Sequence, residues 1–518
     1  VSDTAVSPSS GEASGRPAPS SGGLSRRWRT ARASGLAWVL GAFIVSRALA
    51  AVAGVRFDAT TLDSAWQFID PDLLRHHLAE SLYYSHTQPP LFNLLLGAVV
   101  KFSPLPDGVS FQLVFLAMGL ALTTTVFALT RALGGRRLTA VVVTIVATCS
   151  PAALLYENWL FYTYPEALLV TVVALAVFRW VDTGRQAWLV TIGLTATALV
   201  LTRSLFHPAW YLVVVALAWF GRRPARPRYG LLALGLPLLL VVALVAKNQI
   251  LFDTPGLSSW LGMNLWRVST EQLPDATRQQ MVADGRLSPQ SALQAFQTYD
   301  SYAPVVAPCT PAHADVPVLS QARKSTGWVN YNFECFLPIY RQAQRDALVA
   351  ARADPRATLA SQVASWHLSL LPASDYPYLT TNRAKLSRYE YPYNVMALLQ
   401  VNTPALVSAP NNEQDIYQTP IGISLTIVAA FGAVVASAFA SLRRWRTHRP
   451  PTPAIVTRVY IAVTMVMVFV VGNGLEIREN NRFRWVVEPL MLVILAIAIQ
   501  QLADRVIASR RARSAVAT

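Results

Sequence analysis

Asp70 and Asp72 stand one residue apart, and His86 and Gln88 follow just before Pro89-Pro90-Leu91, in a stretch between apolar segments. A carboxylate within hydrogen-bond reach of a hydroxyl can take its proton, which is general-base chemistry. Asp70-Pro71 equally suits a helix start, with aspartate as N-cap and proline at the first helical position. Further along, Glu157, Glu166, Arg203, His207 and Lys247 sit at the ends of apolar segments. Glu476 to Arg484 forms the most polar short stretch between two apolar ones, and it holds Arg482 and Arg484. The planar guanidinium fork of arginine matches a phosphate through paired, charge-assisted hydrogen bonds. Charges at membrane depth are costly unless paired or at work. Ion pairing among Glu157, Glu166, Arg203 and Arg482 is therefore the competing expectation, and Arg47 suits an ion pair as well as a ligand.

These groups need apolar elements to position them. The chain has 518 residues, 53% hydrophobic and 14% charged, with a mean hydropathy of +0.36. A soluble enzyme usually carries about a quarter charged residues, so the composition excludes an ordinary cytosolic globule. The net charge of +16 is concentrated in short arginine clusters beside apolar segments, which points to membrane topology and away from a nucleic-acid partner. Spans are expected over 36–55, 110–131, 138–156, 165–181, 186–205, 208–221, 229–251, 419–442, 454–472 and 486–504. With about ten crossings, the clusters around Arg136, Arg185, Arg223, Arg444 and Arg510 all fall on the side of the N-terminus, which the positive-inside rule makes cytoplasmic. Counting 89–102 as a crossing would break that agreement, so it is expected to lie on the outer membrane surface. The expected fold is thus an all-α, polytopic membrane protein. Residues 1–25 read as a disordered cytoplasmic tail and 26–251 as an N-terminal membrane module containing a first external loop, 56–109. Residues 252–418 read as a large, mainly helical external domain, 419–505 as C-terminal membrane helices and 506–518 as a cytoplasmic tail. No small-residue cleavage site follows the first apolar segment, which predicts a retained anchor.

No phosphate-binding glycine loop is present, which removes most of the case for a nucleotide-driven protein. Cys149 falls in an expected span. Cys309 and Cys335 share the external domain, where they are either a disulfide or two free thiols, oxidation favouring the bridge.

The order acidic residue, helix, then Gln88-Pro89-Pro90-Leu91 ahead of a surface helix resembles the first external loop of the GT-C superfamily of membrane glycosyltransferases. The protein O-mannosyltransferase and lipid A aminoarabinose transferase branches are the nearest in pattern. Asp70-Pro71-Asp72 replaces the acidic pair of those enzymes, and Gln88 stands where they carry a basic residue, with His86 near enough to take over that function. The resemblance implies a sugar donor on a polyprenyl phosphate and an extracytoplasmic glycan, lipid or protein acceptor. It implies Asp70 as base with Asp72 in reserve, and substrate binding by His86, Gln88, Glu157, Arg203, His207, Lys247, Arg482 and Arg484, the cationic groups among them holding the phosphate. Members differ over a divalent cation, which Asp70, Asp72 and Glu157 have the oxygens to ligate. A transporter or flippase of lipid-linked saccharides is the chief rival, and it would place polar or broken helices at mid-membrane. A polymerase of another membrane fold and a non-catalytic scaffold are weaker ones.

Overall fold

The computed structural model describes residues 22–402, 422–447 and 450–517. The helices that build the molecule are α1 (Gly22–Val52), α2 (Pro71–His76), α3 (Leu91–Phe102), α4 (Asp107–Ala132), α5 (Arg137–Thr148), α6 (Pro151–Glu157), α7 (Thr163–Thr183), α8 (Gln186–Thr202), α9 (Pro208–Gly221) and α10 (Pro227–Phe252). After them come α11 (Leu261–Val268), α12 (Phe336–Ala353), α13 (Pro355–Ser369), α14 (Thr380–Met396), α15 (Leu425–Thr447), α16 (Pro453–Leu475), α17 (Asn480–Trp485) and α18 (Glu488–Ala517).

Among the described residues, seven helices are long and apolar enough to cross a membrane: α1 from Gly35 onward, α4, α7, α10, α15, α16 and α18. The protein is a multi-pass membrane protein. The span expected over 138–156 is a bent pair, α5 and α6, that turns by 55°. Pro151 begins α6 and Ser150 caps it, its Oγ accepting from Ala153 N at 3.0 Å, so proline and cap together break the helix there. Helices α8 and α9 have 17 and 14 residues, about 25 and 21 Å of helix against a hydrocarbon core of roughly 30 Å. Residues 1–21 of the expected tail, the start of the span expected at 419, and Thr518 lie outside the described residues; residues 506–517 of the expected C-terminal tail continue α18.

The loops sort to two ends of the bundle. At one end Gln500 reaches Gly134 O, Arg136 pairs with Asp504 at 2.5 Å, and Arg222 reaches Val181 O at 2.9 Å. At the other, the first long loop meets the α6–α7 turn: Asp58 N donates to Asn158 O and Leu160 N to Asp58 O. The domain between α10 and α15 joins them there, Tyr156 Oη bonding Ala373 O and Asn481 Nδ2 bonding Pro372 O. The domain, expected to be mainly helical, contains α12 and α13, and Cys309 and Cys335 are a disulfide with Cα atoms 5.7 Å apart. The segment expected over 89–102 is α3, which packs Phe92 and Leu96 inward and exposes Leu94 and Phe102.

Within the bundle a charge is matched in pairs. Arg47 of α1 clamps Glu157 of α6 with Nε–Oε1 at 2.9 Å and Nη2–Oε2 at 2.6 Å, and Tyr164 Oη donates to the same carboxylate at 2.7 Å. Gly119 of α4 leaves the space this cluster needs: a Cβ there would lie 2.0 Å from Glu157 Oε2. Glu157 is held from two sides and cannot yield, so Gly119→Ala should cost about 1–3 kcal/mol through overpacking. At Gly41 a Cβ meets nothing within 4 Å, and Gly41→Ala should lose nothing and gain up to about 1 kcal/mol of helix preference. Melting of the purified protein in detergent measures both; a Gly119→Ala protein as stable as wild type would contradict the packing described.

Candidate functional site

A cavity of about 1340 Å³ lies where the bundle meets the first loop and the domain. One side of it is a helix face: Leu238, Val241, Val242, Val245, Ala246 and Gln249 of α10 recur at helical spacing over about 17 Å. Helix α9 begins at the wall with His207 and Pro208, and α16 ends there with Val471 and Leu475. The rest of the wall includes polar groups. Arg203, Arg267, Arg478, Glu476, Glu479 and Gln88 all line it.

The charged groups are held by one another. Arg267 Nη1 bonds Glu476 Oε1 at 3.1 Å, and its guanidinium lies 4.8 Å from the Phe296 ring centre. Arg203 reaches Glu166 Oε2 at 3.4 Å and lies 4.1 Å from the ring centre of Phe483. Arg478, at φ 106°, pairs with Glu271 at 3.5 Å. Glu479 accepts from Tyr376 Oη at 2.8 Å and from Arg482, which sits directly behind it. Burial pushes the Glu476 carboxyl up to about 7, with Arg267 pulling it down and Glu479 pushing it up. Burial would raise Glu479 too, but Arg482 and Arg203 hold it below the usual carboxylate range. Four arginines, Arg203, Arg267, Arg478 and Arg482, are thus matched by Glu166, Glu476, Glu271 and Glu479. Burial raises the Glu476 carboxyl toward neutrality, where a carboxylate can move a proton.

The residues singled out from the sequence divide between this site and structural work. Gln88, Arg203 and His207 line the cavity; His207 also caps α9, Nδ1 accepting from Ala209 N at 3.1 Å. Arg482 supports the wall through Glu479, with Nη1 on Thr163 Oγ1 at 3.1 Å. The others stand elsewhere. Asp70 is the N-cap of α2, as its neighbour Pro71 predicts, accepting from Asp72 N at 3.0 Å. The same carboxylate takes Ser325 N and Ser325 Oγ, each at 2.5 Å, and does not line the cavity. Asp72 is exposed on α2, 3.6 Å from His76. His86 is fully buried: Nε2 bonds Asn332 O at 3.0 Å and so carries the proton, while Nδ1 faces Ser259 Oγ at 2.8 Å. Burial pushes its pKa down to about 3, and the ring is a neutral clamp between the first loop and the domain. Lys247 ties α10 to the first loop through Tyr83 O and Ser85 O, at 3.0 and 2.6 Å. Arg484 pairs with Glu488 one turn along, at 2.9 Å and fully buried. Glu157 belongs to Arg47.

Asp70, Asp72 and Glu157 thus do not converge, since each has its own partner, and no group of three His, Cys, Asp or Glu side chains suited to a metal occurs among the described residues. Arg267 and Tyr376 enter the site without having been singled out; Glu476, Arg478 and Glu479 belong to the polar stretch from Glu476 to Arg484, of which only Arg482 and Arg484 had been given a role. An arginine inside the otherwise uncharged helix α11, Leu261–Val268, was a readable sign of Arg267.

No protein-family model and no curated protein matches the sequence. Among solved structures, the Archaeoglobus fulgidus oligosaccharyltransferase, crystallised tethered to an acceptor peptide containing the NVT sequon, is similar over 92% of this chain at 12% identity, with a TM-score of 0.37. The match spans about half of that enzyme, 51% of its chain. Similarity at that level fixes neither fold nor activity.

The Asp70 carboxylate holds three donors that would be stranded by its removal. Asp70→Ala should lower stability by about 2 kcal/mol and make residues 323–329 more sensitive to protease. Asp72→Ala should stay within about 0.5 kcal/mol of wild type. Equal melting of the two variants would contradict the assignment of Asp70 as anchor.

Proposed function

We propose that the protein is a membrane glycosyltransferase of GT-C type, moving a sugar from a polyprenyl-phosphate carrier to an extracytoplasmic acceptor. The observation that carries this is the join, in one cavity, of an apolar wall on α10 with an arginine-rich polar end. A lipid-linked phosphate needs both: hydrocarbon contact for its tail and preorganised cations for its head group. The first-loop pattern from Asp70 to Leu91 supports the same class by resemblance. The chain then crosses the membrane about ten times, with α8, α9 and the α5–α6 pair as short or bent crossings, and the cavity faces outside.

In this mechanism Arg203 and Arg478 hold the phosphate and Arg267 sets the ionisation of Glu476. Glu476 takes the proton of an acceptor hydroxyl whose oxygen attacks the anomeric carbon. The bond from that carbon to the phosphate oxygen breaks, and the arginines stabilise the charge left on the polyprenyl phosphate. Asp70 serves as base only if the turn carrying Ser325 withdraws from it. No step runs through a metal ion. A transport pathway through the cavity would be expected to use the broken helix, but α5 and α6 contribute nothing to the cavity wall.

The test is transfer from polyprenyl-phosphate arabinose, mannose and glucose in membranes, as a function of pH. Glu476 must be ionised to accept a proton, so activity should rise with pH to half its maximum near 7. Glu476→Gln should lose at least a hundredfold in rate, and Asp70→Asn should retain more activity than Glu476→Gln. The reverse order would return the base to Asp70, and no transfer by wild type from any donor would remove the proposal. Donor binding is a separate readout. The double variant Arg203→Ala/Glu166→Gln, which strands no buried carboxylate, should weaken decaprenyl phosphate binding roughly ten- to a hundredfold.

A further inference from the structure

Two flat aromatic side chains at the cavity are left uncovered. Trp328 is 50% exposed and Tyr378 is 61% exposed, and both line the wall. An exposed indole forgoes apolar burial, yet the turn that presents Trp328 is tightly fixed. Lys324 N donates to Trp328 O at 2.7 Å and Gly327 N to Lys324 O at 2.9 Å. Gly327 has φ +83°, where a side chain would be strained. Four side-chain bonds then pin this turn to the first loop: the pair from Ser325 to Asp70, Lys324 Nζ to Ala65 O at 2.7 Å, and Thr326 Oγ1 to Asp63 O at 3.1 Å. Lys324 is buried enough that its pKa falls to about 8, with Asp70 and Asp63 pulling it back up. Tyr378 has a comparable backing, its ring stacked on Trp159 at an interplanar angle of 13°, and Trp159 stacked in turn on Phe161 at 10°.

Rigid, uncovered aromatic faces beside hydrogen-bonding groups match one ligand chemistry well. A pyranose or furanose ring offers an apolar C–H face and a polar edge, and the cavity wall supplies Gln67, Gln88 and Ser64 for that edge. Membrane-interface anchoring would instead place such rings on the outer surface of the bundle. We propose that Trp328 and Tyr378 form a stacking subsite for a saccharide acceptor. This rests on the glycosyltransferase reading and adds the acceptor class to it.

Saturation-transfer NMR on the full chain in nanodiscs tests it, with methyl arabinofuranoside, methyl mannoside and methyl glucoside as probes and decaprenyl phosphate binding measured on the same samples. Wild type should transfer saturation to the C–H face of at least one glycoside. Trp328→Ala should cut that signal at least fivefold, Trp328→Tyr should keep at least half of it, and both should bind decaprenyl phosphate as wild type does. Should Trp328→Ala fail to fold, Tyr378→Ala on its separate segment gives the same comparison. An unchanged signal in these alanine variants, no contact with any glycoside, or contact with a serine-rich peptide in place of glycosides would overturn the subsite. Glycoside contact without decaprenyl phosphate binding by wild type would leave the subsite standing and remove the donor.

Discussion

Guanidinium groups buried at a membrane boundary must be paired, and the pairing of arginines with glutamates at one end of the bundle is what the rest of this protein is arranged around. Arg203 with Glu166 joins the α8–α9 turn to the start of α7, and Arg267 with Glu476 joins the domain to the end of α16. Arg482 with Glu479 sets the short helix α17 against the aromatic side chains Phe161, Tyr376 and Phe483. The first two pairs cross between elements, and Arg267 with Glu476 ties the domain to the bundle. The cavity is the space that remains between them. Its apolar wall costs nothing to place, because α10 needs an apolar surface to sit in a membrane.

Pairing also leaves the site chemically poised. A guanidinium in contact with one carboxylate still has donors to offer, and aromatic faces against Arg203, Arg267 and Arg482 hold the groups without using those donors. The two wall carboxylates are pushed in opposite directions, Glu476 upward by burial and Glu479 held down by Arg482 and Arg203. Environments that separate the pKa values of neighbouring acids separate their roles, one able to exchange a proton and one permanently charged.

Much of the architecture was legible in the sequence, and the reasons are local. Apolar runs and arginine clusters are set by the bilayer itself, so helices stand where spans were expected. Asp70-Pro71 marks a helix start whatever the tertiary setting, and Cys309 and Cys335 met in a disulfide. Arg484, expected at the phosphate, instead pairs with Glu488 four residues on, a spacing that brings two side chains together on one helix face. What could not be read is long-range. His86 finds Asn332 and Ser259, Asp70 finds Ser325, and Lys247 finds carbonyls of the first loop, across separations of 246, 173, 255 and about 160 residues. Polar residue types announce that a group needs a partner, but they do not say whether the partner is protein or substrate. That is why the carboxylate expected as base at Asp70 is found capping α2 and bonded to Ser325, outside the cavity that Glu476 and Glu479 line.

The claim on which the function depends is that a polyprenyl chain lies along α10 with its phosphate among the arginines. Photo-crosslinking with a decaprenyl phosphate carrying a diazirine in its first isoprene units addresses it directly. Label should concentrate on the wall residues between Leu238 and Gln249 and be displaced by unlabelled decaprenyl phosphate. Label spread over the lipid-facing sides of the other helices, or label that unlabelled decaprenyl phosphate does not displace, would contradict it.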